Sequence, residues 1–458
     1  MPESKFAPLF QKQQAYFLSG ETLEINFRLQ QLKKFKEAVL RNEKLIYEAL
    51  YKDLRKSEFE SYATEIGFVL EELSNHIRHL KKWAKPRKVK TPLTSFPASG
   101  YLTNEPKGTV LIMSPWNYPL QLVLVPLVGA ISAGNTVIVK PSEMSVETSR
   151  VIEKIIGETF GEEYIKVITG GAETAKELLK LHFGHIFFTG SERIGRIVLE
   201  AAAPKLIPVT LELGGRSPCI VDKDVNVKLA ARRIIWGKLI NAGQTCIAPN
   251  CLVVHESVKE KLLPELVAAV KKFYGDDLKN NPEYPHIINR PNMERLIAML
   301  EGSNVYWGGN YDIAERFFEP TIIDEADFNL PVMQSEIFGP ILPVLTYNSL
   351  DELMDILRKC PNPLSLYYFS NNKKHIKKVL ASVPSGGVTV NDTLMHFTFS
   401  SLPFGGTGSS GMGKYHGKFS FETFSHQKPV VYRGTWLDVP VRYAPFKNKL
   451  KIIKKLIK

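Results

Sequence analysis

The sequence predicts an α/β protein with one domain built on a doubly wound, Rossmann-type parallel sheet and a second α/β unit that follows it in the sequence. From residue 109 onward, short and continuously apolar segments alternate with longer segments of helical periodicity. Continuous apolar strands are typical of a parallel sheet that helices cover on both faces. In addition, Asn117, Lys140 and Gly190 come at or just after the ends of apolar segments, where such sheets bind their ligands.

The segment before residue 109 is predicted to be a mainly helical scaffold. Apolar residues recur at helical spacing within residues 22–51 and again within residues 58–83, so each range is predicted to form an amphipathic helix. Residues 85–97 are a basic, proline-rich connector, and residues 100–108 are predicted to be an extended crossing segment.

Strands and helices alternate in both predicted units. In the first unit we predict strands at residues 109–113, 136–140, 164–169, 185–189 and 209–212, and helices at 120–133, 145–159, 174–181 and 192–202. In the second unit, which extends from residue 212 to about residue 391, we predict strands at 218–221, 251–255, 341–346 and 365–369, and helices at 229–240, 256–273 and 350–358.

Composition limits the class of protein and its compartment. The chain of 458 residues is 44% hydrophobic and 23% charged, which is ordinary for globular proteins and argues against fibrous and disordered classes. Its four cysteines form no disulfide framework and fit reduced thiols. The start of the chain lacks the apolar core of a signal peptide, and its most apolar stretch is too short to span a bilayer. We therefore expect a cytoplasmic protein.

The net charge of +12 is concentrated near the C-terminus. Residues 443–458 hold six lysines and no acid, and residues 81–90 form a second basic cluster. The chain has no nucleic-acid recognition motif, so we expect no nucleic-acid partner. In the tail, residues 446–458, Leu450, Ile453 and Ile457 recur at helical spacing among lysines, a pattern typical of an interfacial amphipathic helix. Peripheral membrane contact, packing over a tunnel mouth and a solvated tail all remain open for this segment.

One cysteine lies in a loop suited to nucleophilic chemistry. The predicted helix at 229–240 leads into Asn-Ala-Gly-Gln-Thr before Cys246, and Pro249 prevents a helix from continuing past the thiol. Glu212 ends an apolar strand in front of two glycines, and Asn117 follows the end of another. A thiol, a carboxylate and an amide are the groups that acyl chemistry through a covalent thio-intermediate requires.

Each of these residues also has a plainer interpretation. An isolated cysteine is usually buried and inert, and a glutamate at a strand end often forms a salt bridge. An asparagine within Trp-Asn-Tyr-Pro often satisfies the backbone of a turn.

Six ordered motifs of the chain resemble those of the aldehyde dehydrogenase superfamily. They are Ser-Pro-Trp-Asn-Tyr-Pro at 114–119, Lys-Pro-Ser-Glu at 140–143, Phe-Thr-Gly-Ser at 188–191, Glu-Leu-Gly-Gly at 212–215, Gly-Gln-Thr-Cys at 243–246 and Glu-Ile-Phe-Gly-Pro at 336–340. The resemblance covers about residues 27–432. The segments at 402–406, 415–417 and 421–426 are similar to the class 3 branch, which includes fatty and aromatic aldehyde dehydrogenases.

The resemblance implies a role for each of the three chemical groups. Cys246 is expected to attack an aldehyde as a thiolate and to form first a thiohemiacetal and then a thioester. Glu212 is expected to be the base that activates the water of hydrolysis. Asn117, together with the backbone N–H of Cys246, is expected to stabilise the oxyanion.

The resemblance also implies an NAD site, with NADP as an accepted alternative. Residues 190–195 open a helix after a strand and suit a pyrophosphate, whereas the literal Gly-x-Gly-x-x-Gly pattern at 406–411 has no βαβ context and is rejected as a flexible turn. A carboxylate near the adenosine ribose favours NAD. The expected cofactor residues are Trp116, Lys140, Glu143, Gly190, Ser191, Ile194, Gly195, Leu213, Gly214, Glu336 and Phe338.

A substrate tunnel with aromatic walls is expected from the class 3 resemblance. Tyr118, Trp236, Phe338 and His416 match positions around that tunnel, which would suit an apolar chain or ring. Simple core packing is the alternative for each of them. No metal site is expected, because Cys246 and Cys251 lack partner ligands at zinc-site spacing.

These expectations define a domain plan and an assembly. Residues 1–87 and 109–211 are assigned to the NAD(P)-binding domain, residues 212–400 to the catalytic thiol domain, residues 88–108 and 426–445 to a small β oligomerisation arm, and residues 446–458 to the basic tail. The arm and a homodimer follow from the resemblance.

The predicted activity is NAD(P)-dependent oxidation of medium-chain, long-chain or aromatic aldehydes to carboxylic acids. One alternative is a dehydrogenase that passes the acyl group to coenzyme A, although relatives of that type tend to lack a base at the position of Glu212. A second alternative is a non-catalytic NAD-binding structural protein on the same fold, and a third is a thioesterase, which would hydrolyse esters without any cofactor.

Overall fold

The computed structural model of the chain describes residues 4–456. Its helices are α1 (Ala7–Leu18), α2 (Ile25–Arg41), α3 (Glu43–Leu54), α4 (Glu58–Ser61), α5 (Gly67–Trp83), α6 (Gln121–Ala133), α7 (Val146–Thr159), α8 (Ala172–Leu179), α9 (Glu192–Ala202), α10 (Val227–Leu239), α11 (Glu256–Tyr274), α12 (Arg290–Met299), α13 (Pro331–Gln334), α14 (Leu350–Arg358), α15 (Lys373–Ser382), α16 (Lys418–Thr423) and α17 (Leu450–Leu456).

The strands fall into three larger sheets and one short hairpin. They are β1 (Arg87–Val89), β2 (Ala98–Pro106), β3 (Thr109–Met113), β4 (Thr136–Lys140), β5 (Ile165–Val167), β6 (His185–Thr189), β7 (Val209–Glu212), β8 (Pro218–Val221), β9 (Cys251–His255), β10 (Asn304–Trp307), β11 (Tyr311–Asp312), β12 (Phe317–Phe318), β13 (Thr321–Asp324), β14 (Ile341–Tyr347), β15 (Ser365–Phe369), β16 (Gly387–Val390), β17 (Gly411–Met412) and β18 (Ser425–Arg433).

The first sheet has the order β17-β7-β6-β3-β4-β5, and all its strands run parallel except the edge strand β17. In β3, Val110 and Ile112 belong to the core that includes α2, α5 and α6, whereas Leu111 and Met113 belong to a separate core with α1, α8 and α9. Alternate side chains of one strand are therefore buried on opposite faces, as expected for a sheet that helices cover on both sides. The predicted doubly wound fold is confirmed.

The second sheet has the order β10-β13-β14-β9-β8-β15-β16, again parallel apart from β10 at one edge. It contains all four strands predicted for the second unit. A third sheet joins β1, β2 and β18, and β2 pairs antiparallel with β18 over nine residues. The predicted extended segment is therefore one strand of the β arm. The domain boundaries stay a prediction.

Two predicted helices are interrupted. The helix predicted at 22–51 ends at Arg41 and restarts at Glu43, because the side chain of Asn42 turns back to donate to the carbonyl of Ala38 at 2.9 Å, a competition with the helix that asparagine favours. The helix predicted at 58–83 contains a π-helical segment, Tyr62–Ile66. Such segments occur frequently at functional sites.

Two further features concern the C-terminal part of the chain. Residues 411–425 return to the first sheet, where β17 pairs with β7 and α16 packs against α6. The basic tail forms the short helix α17, while Ile457, which belongs to the predicted amphipathic pattern, lies outside the described residues. Among residues 4–456, no helix combines the length and the apolar character that crossing a bilayer requires.

Candidate active site

Loops at the carboxyl end of the first parallel sheet face loops at the amino end of the second, because the residues around Gln244 precede β9 and Phe338 precedes β14. Trp116 follows β3, and its ring meets that of Phe338 in an edge-to-face arrangement with centroids 5.3 Å apart. The side-chain amide of Asn117 donates to the carbonyl of Gln244 at 3.0 Å, and the amide of Asn241 donates back to the carbonyl of Asn117 at 2.7 Å. The predicted oxyanion loop and the predicted nucleophile loop are therefore directly connected.

A left-handed turn presents the thiol. Asn241, Ala242 and Gly243 have φ values of 52°, 50° and 74°, a conformation that is costly for residues other than glycine. A Cβ at Gly243 would lie 2.3 Å from the carbonyl oxygen of Gly339, so only glycine fits there. The Asn-Ala-Gly sequence that breaks the helix thus becomes a sharp bend in front of Cys246.

The buried side chain of Gln244 holds this bend. Its Nε2 donates to the carbonyls of Asn241 and His286, each at 3.0 Å, and its Oε1 accepts from the N–H of Ile288 at 3.0 Å. On the other side of the thiol, the Nζ of Lys238 donates to the carbonyl of Pro249 at 2.9 Å. Strain in the turn is therefore offset by hydrogen bonds on both sides of Cys246.

Cys246 is half-buried, and its surroundings oppose ionisation. Burial raises the pKa of the thiol well above its usual range, and the negative charges of Glu336 and Glu212 raise it further. The nearby backbone N–H groups of Cys246 and Ile247 act in the opposite direction and favour the thiolate. The thiol is therefore protonated at neutral pH, and reaction requires that it lose its proton.

Glu212 ends β7 in a buried position. Neither of its carboxylate oxygens has a hydrogen-bond partner among the described residues, and burial raises its pKa well above the usual range. Its backbone is held by the N–H of Gly190, at 3.0 Å, and by pairing with Gly411. An unpartnered carboxyl group with a raised pKa is suited to accept and release a proton. The salt-bridge interpretation does not apply to it.

Asn117 is buried with its backbone fixed from two sides. Its carbonyl accepts from the Nζ of Lys56 at 3.2 Å as well as from Asn241. Because an amide nitrogen carries two hydrogens, the bond to Gln244 leaves one N–H of Asn117 for another acceptor. The Oδ1 atom has no partner within residues 4–456.

An apolar cavity of about 650 Å³ leads to the thiol. Cys246, Glu212 and Thr245 line it, and Tyr118, which shares a 2.6 Å hydrogen bond with Thr245, is also part of the wall. Its remaining walls are mainly aromatic and include Phe68, Trp236, Phe273, Phe397, Phe404 and Tyr415. Two of the predicted tunnel residues, Tyr118 and Trp236, therefore reach the cavity.

His416 does not reach the cavity surface. Its ring is 1% exposed and packs against Phe68, Phe397 and Phe404 at centroid distances of 5.2, 4.9 and 5.3 Å. Those three rings line the cavity, so His416 lies one layer behind the wall, and its prediction as a tunnel residue is corrected. Burial lowers its pKa to about 4, and the ring is neutral.

Lys140 and Glu143 lie together at the end of β4. The Nζ of buried Lys140 is 2.9 Å from a carboxylate oxygen of Glu143, which is largely exposed. Burial tends to raise the pKa of Glu143, but the hydrogen bond and charge of Lys140, together with the backbone N–H of Glu143, outweigh it and the net shift is downward. An ionised carboxylate at this edge is suited to accept from ribose hydroxyls.

The predicted pyrophosphate loop opens helix α9 behind β6. Ser191 precedes the helix and its side chain makes no capping hydrogen bond. A Cβ at Gly195 would lie 2.7 Å from a methyl group of Leu213, and partly buried Ile194 packs on the same apolar cluster. The glycine allows α9 to approach the β7 loop closely, and the amino end of the helix points to this edge of the sheet.

Glu336 crosses from the second unit to the glycines after β7. A Cβ at Gly214 would lie 2.0 Å from its carboxylate oxygen. Burial raises the pKa of Glu336 to about 7, against the effects of the N–H of Gly215 and the charges of Arg295 and Lys238. Its Oε1 has no hydrogen-bond partner in the part of the chain that the structure describes. Phe338 follows with a positive φ of 48°.

Sequence reasoning missed the charged residues that support these loops. Glu60 lines the cavity and accepts from the N–H of Asn241 at 2.7 Å, and burial raises its pKa to about 7. Lys56 and Glu65 form a buried ion pair beside Asn117. One signal was available, since Glu65 is in phase with Val69 and Leu73 on the apolar face of the predicted helix. Within the described range, no cluster of three or more His, Cys, Asp or Glu side chains could hold a metal ion.

The two parallel sheets, with a thiol, an unpartnered carboxyl group and an amide at their facing edges, define a cysteine-dependent enzyme of acyl chemistry on a dinucleotide-type fold. Residues 8–430 match the Aldehyde dehydrogenase family. The chain belongs to this family and is an aldehyde dehydrogenase, as its motifs implied.

Curated relatives cover nearly the whole chain. The protein is 48% identical to the 4,4'-diaponeurosporen-aldehyde dehydrogenase of Staphylococcus aureus, over 98% of each chain. It is 46% identical to Aldehyde dehydrogenase family 3 member A2 of Macaca fascicularis, over 91% of this chain and 86% of that one. It is 43% identical to the dimeric NADP-preferring aldehyde dehydrogenase of Canis lupus familiaris, over 98% and 99% of the two chains.

Solved structures agree in fold. The substrate-bound state of Staphylococcus aureus AldH superposes with a TM-score of 0.97, at 47% identity and over 98% of this chain and 99% of that one. An indole-3-acetaldehyde dehydrogenase in complex with NAD+ superposes with a TM-score of 0.84, at 26% identity and over 93% and 88% of the two chains.

Proposed function

We propose that the protein oxidises aldehydes with a long apolar chain or an aromatic ring to free carboxylic acids, with NAD(P) as the hydride acceptor. The observation that carries the proposal is the cavity in which Cys246 and the unpartnered carboxyl group of Glu212 share one apolar chamber. Apolar walls favour substrates that bring apolar surface out of water. The relatives that carry the names of a diaponeurosporen aldehyde and of family 3 support this substrate class.

The first step joins Cys246 to the aldehyde. The thiol releases its proton to solvent, the thiolate attacks the carbonyl carbon, and the carbonyl oxygen takes up the negative charge of the thiohemiacetal. The free N–H of Asn117 and the backbone N–H of Cys246 donate to that oxygen. One donor of this kind is worth about 3 kcal/mol of transition-state stabilisation.

The residues at the sheet edges fit NAD(P). Glu336 has an unpartnered oxygen beside Gly214, Ser191 leaves the amino end of α9 open, and Lys140 with Glu143 forms a polar pair further along the edge. Glu336 would hold the nicotinamide ribose, α9 the pyrophosphate, and Lys140 and Glu143 the adenosine ribose. When bound, NAD(P) supplies the acceptor for the hydride that leaves the thiohemiacetal. Trp116 and Phe338 close the space between the two units.

Glu212 completes the reaction by hydrolysis. Its ionised carboxylate removes a proton from water as the water attacks the thioester, and the sulfur of Cys246 leaves. The absence of a partner for either oxygen among residues 4–456 supports this role. Glu212 also favours a free acid over an acyl group transferred to coenzyme A.

A panel of aldehydes of increasing chain length, assayed with NAD and with NADP, tests the proposal. We expect reduced cofactor and free acid, with kcat/KM rising with chain length, and the same product when coenzyme A is added. Acyl-coenzyme A as the product would establish the transferase alternative. Binding of NAD without turnover of any aldehyde would establish the structural protein, and ester hydrolysis that needs no cofactor, without aldehyde oxidation, would establish the thioesterase.

We also propose a homodimer formed through the β arm. Strand β18 ends in the exposed side chains of Val431 and Tyr432, and Trp436 follows with 72% of its surface exposed. Exposed apolar patches of this kind mark interaction sites, and the description of the dog relative as dimeric supports the assembly. Light scattering should give the mass of two chains for the wild type and of one chain for V431K/Y432K.

The basic tail is proposed to contact an anionic membrane surface. Phe446, which precedes α17, and Leu450 and Ile452 within it are exposed, and lysines lie beside each of them in sequence. Each lysine near an anionic surface adds about 1 kcal/mol of attraction. Liposome co-sedimentation at low salt, with and without residues after Pro445, tests this, and equal partition of the two chains would refute it.

A further inference from the structure

A buried ion pair lies next to the predicted oxyanion loop. The Nζ of Lys56 is 2.7 Å from the Oε1 of Glu65, and both side chains are fully buried. Removing two charges from water costs several kcal/mol per ion, and their mutual attraction repays this cost only when further hydrogen bonds satisfy both groups. The other partners of the pair therefore indicate what it does.

Those partners belong to the segment that carries Asn117. The second oxygen of Glu65 accepts from the N–H groups of Leu120 and Gln121, at 2.8 and 3.1 Å, where α6 begins. A carboxylate is favoured at the amino end of a helix. Lys56 donates to the carbonyl of Asn117 and lies 4.0 Å from the centre of the Tyr118 ring. The pair thus holds both ends of residues 117–121.

The same part of the chain also reaches the nucleophile loop. Glu60 lies between Lys56 and Glu65 in sequence and accepts from the N–H of Asn241, while the side chain of Asn241 donates to the carbonyl of Asn117. The π-helical segment Tyr62–Ile66 follows Glu60 and contains Glu65. Residues 56–65 therefore connect the thiol-bearing turn with the oxyanion loop.

We propose that the Lys56–Glu65 pair is a positioning device for the reaction, which acts by fixing the peptide of Asn117 so that its free N–H faces the oxyanion. The carbonyl of Asn117 accepts two donors, Lys56 Nζ and Asn241 Nδ2, so this peptide plane cannot rotate without losing both bonds. The plane sets the direction of the Asn117 side chain. The inference rests on the proposed function, because it takes Asn117 as an oxyanion donor.

The test variant is K56M/E65Q, which removes both charges together and leaves an amide oxygen to accept from Leu120 and Gln121. We expect kcat to fall about 10- to 100-fold at an unchanged KM, a smaller loss than the roughly 100- to 1,000-fold expected when an oxyanion donor is deleted. Hydrolysis of a nitrophenyl ester should fall by a similar factor. Active-site titration of the thiol normalises each rate to folded enzyme.

Coupling to Asn117 separates positioning from general support of the fold. In the N117A background, K56M/E65Q should cause little further loss, because residues that act through one group are not additive. K259M is the matched control, since Lys259 forms a mostly buried ion pair with Asp324 away from the site; it should leave kcat unchanged.

The outcomes distinguish the proposed role of the Lys56–Glu65 pair from the proposed role of Asn117. Unchanged kcat in K56M/E65Q overturns the inference, and so does a loss that is equally large in the N117A background. If N117A itself keeps full activity, the proposed role of Asn117 is wrong, independently of the ion pair.

Discussion

The side-chain amide of Asn117 is 3.0 Å from the carbonyl oxygen of Gln244, across the boundary between the two parallel sheets. Gln244 is two residues before Cys246, and its own side chain is anchored on His286 and Ile288. Hydrogen bonds therefore link the proposed oxyanion donor to the loop that carries the proposed nucleophile. This preorganisation is what an acyl-transfer site requires, because its donors must already point to the place where charge develops.

E212Q should separate the two halves of the reaction. Without a base for hydrolysis, the first turnover still forms reduced cofactor, but the steady-state rate falls about 100-fold or more. Stopped-flow measurement should show a burst close to one equivalent per thiol followed by slow turnover. In the wild type the slow phase should accelerate as pH rises, because the raised pKa of Glu212 delays formation of the base. Equal steady-state rates for E212Q and the exposed control E173Q would contradict the role of Glu212.

G214A should weaken NAD(P) binding. The new Cβ would lie 2.0 Å from a carboxylate oxygen of Glu336, so that side chain must move from the position proposed to hold the nicotinamide ribose. We expect the Kd for NADH, measured by fluorescence titration, to rise about 10-fold, equivalent to about 1.4 kcal/mol. G157A is the matched control, because a Cβ at that exposed helical position meets nothing within 4 Å. It should leave Kd unchanged, and a G214A enzyme with the same Kd would exclude the proposed contact.

W236A should reduce the preference for long substrates. Trp236 lines the cavity and is 40% exposed. Its ring therefore offers apolar contact to the part of a bound substrate that lies nearest to solvent. We expect kcat/KM for a long-chain aldehyde to fall about 10-fold or more while that for a short aldehyde is nearly unchanged. Y306A, which removes an exposed aromatic ring on β10, serves as the control. A uniform loss for all chain lengths would argue against this role of Trp236.

The strands and the reactive groups could be predicted because their signals are local. Continuous apolar segments marked β3, β4 and β6 with correct bounds, and the glycines beside Glu212 and Cys246 marked the turns at the sheet edges. These features depend on neighbours in sequence, which a single chain displays directly.

Two features could not be predicted in the same way. They are the buried charged residues that support the site loops and the distinction between residues that line the cavity and residues behind its wall. Lys56 and Glu60 look like surface charges in the sequence, and their burial depends on partners more than 60 and 180 residues away. His416 is separated from the cavity by rings from three different segments. Only the assembled structure distinguishes a wall residue from one behind the wall.

E60Q should change how stability depends on pH. Burial raises the pKa of Glu60 from 4.5 to about 7 in the folded protein. The unfolded chain therefore ionises at Glu60 above about pH 4.5, whereas the folded protein stays protonated there until about pH 7. The contribution of Glu60 to the free energy of unfolding is full below pH 4.5 and is lost as pH rises through about 7. A tenfold change in the proton affinity of one group corresponds to about 1.4 kcal/mol. The wild type should lose up to about 3 kcal/mol more than E60Q across this window, seen as a steeper fall in melting temperature between about pH 4.5 and pH 7. Parallel curves for the two proteins would show that Glu60 does not titrate in this way.

E336Q should make the thiol of the cofactor-free enzyme more reactive. Apart from burial, the charge of Glu336 contributes most to the raised pKa of Cys246, ahead of that of Glu212. Replacing it with a neutral amide lowers the pKa of the thiol, and the reacting species is the thiolate. Above about pH 7, where Glu336 is ionised in the wild type, we expect alkylation of Cys246 by iodoacetamide to become several-fold faster.

Mass spectrometry of the labelled peptides provides an internal control, because buried Cys219 should react slowly in both proteins. Below about pH 6 the two rates should converge as Glu336 becomes protonated. A constant ratio at all pH values would mean that the amide acts by altered packing and not by removal of charge.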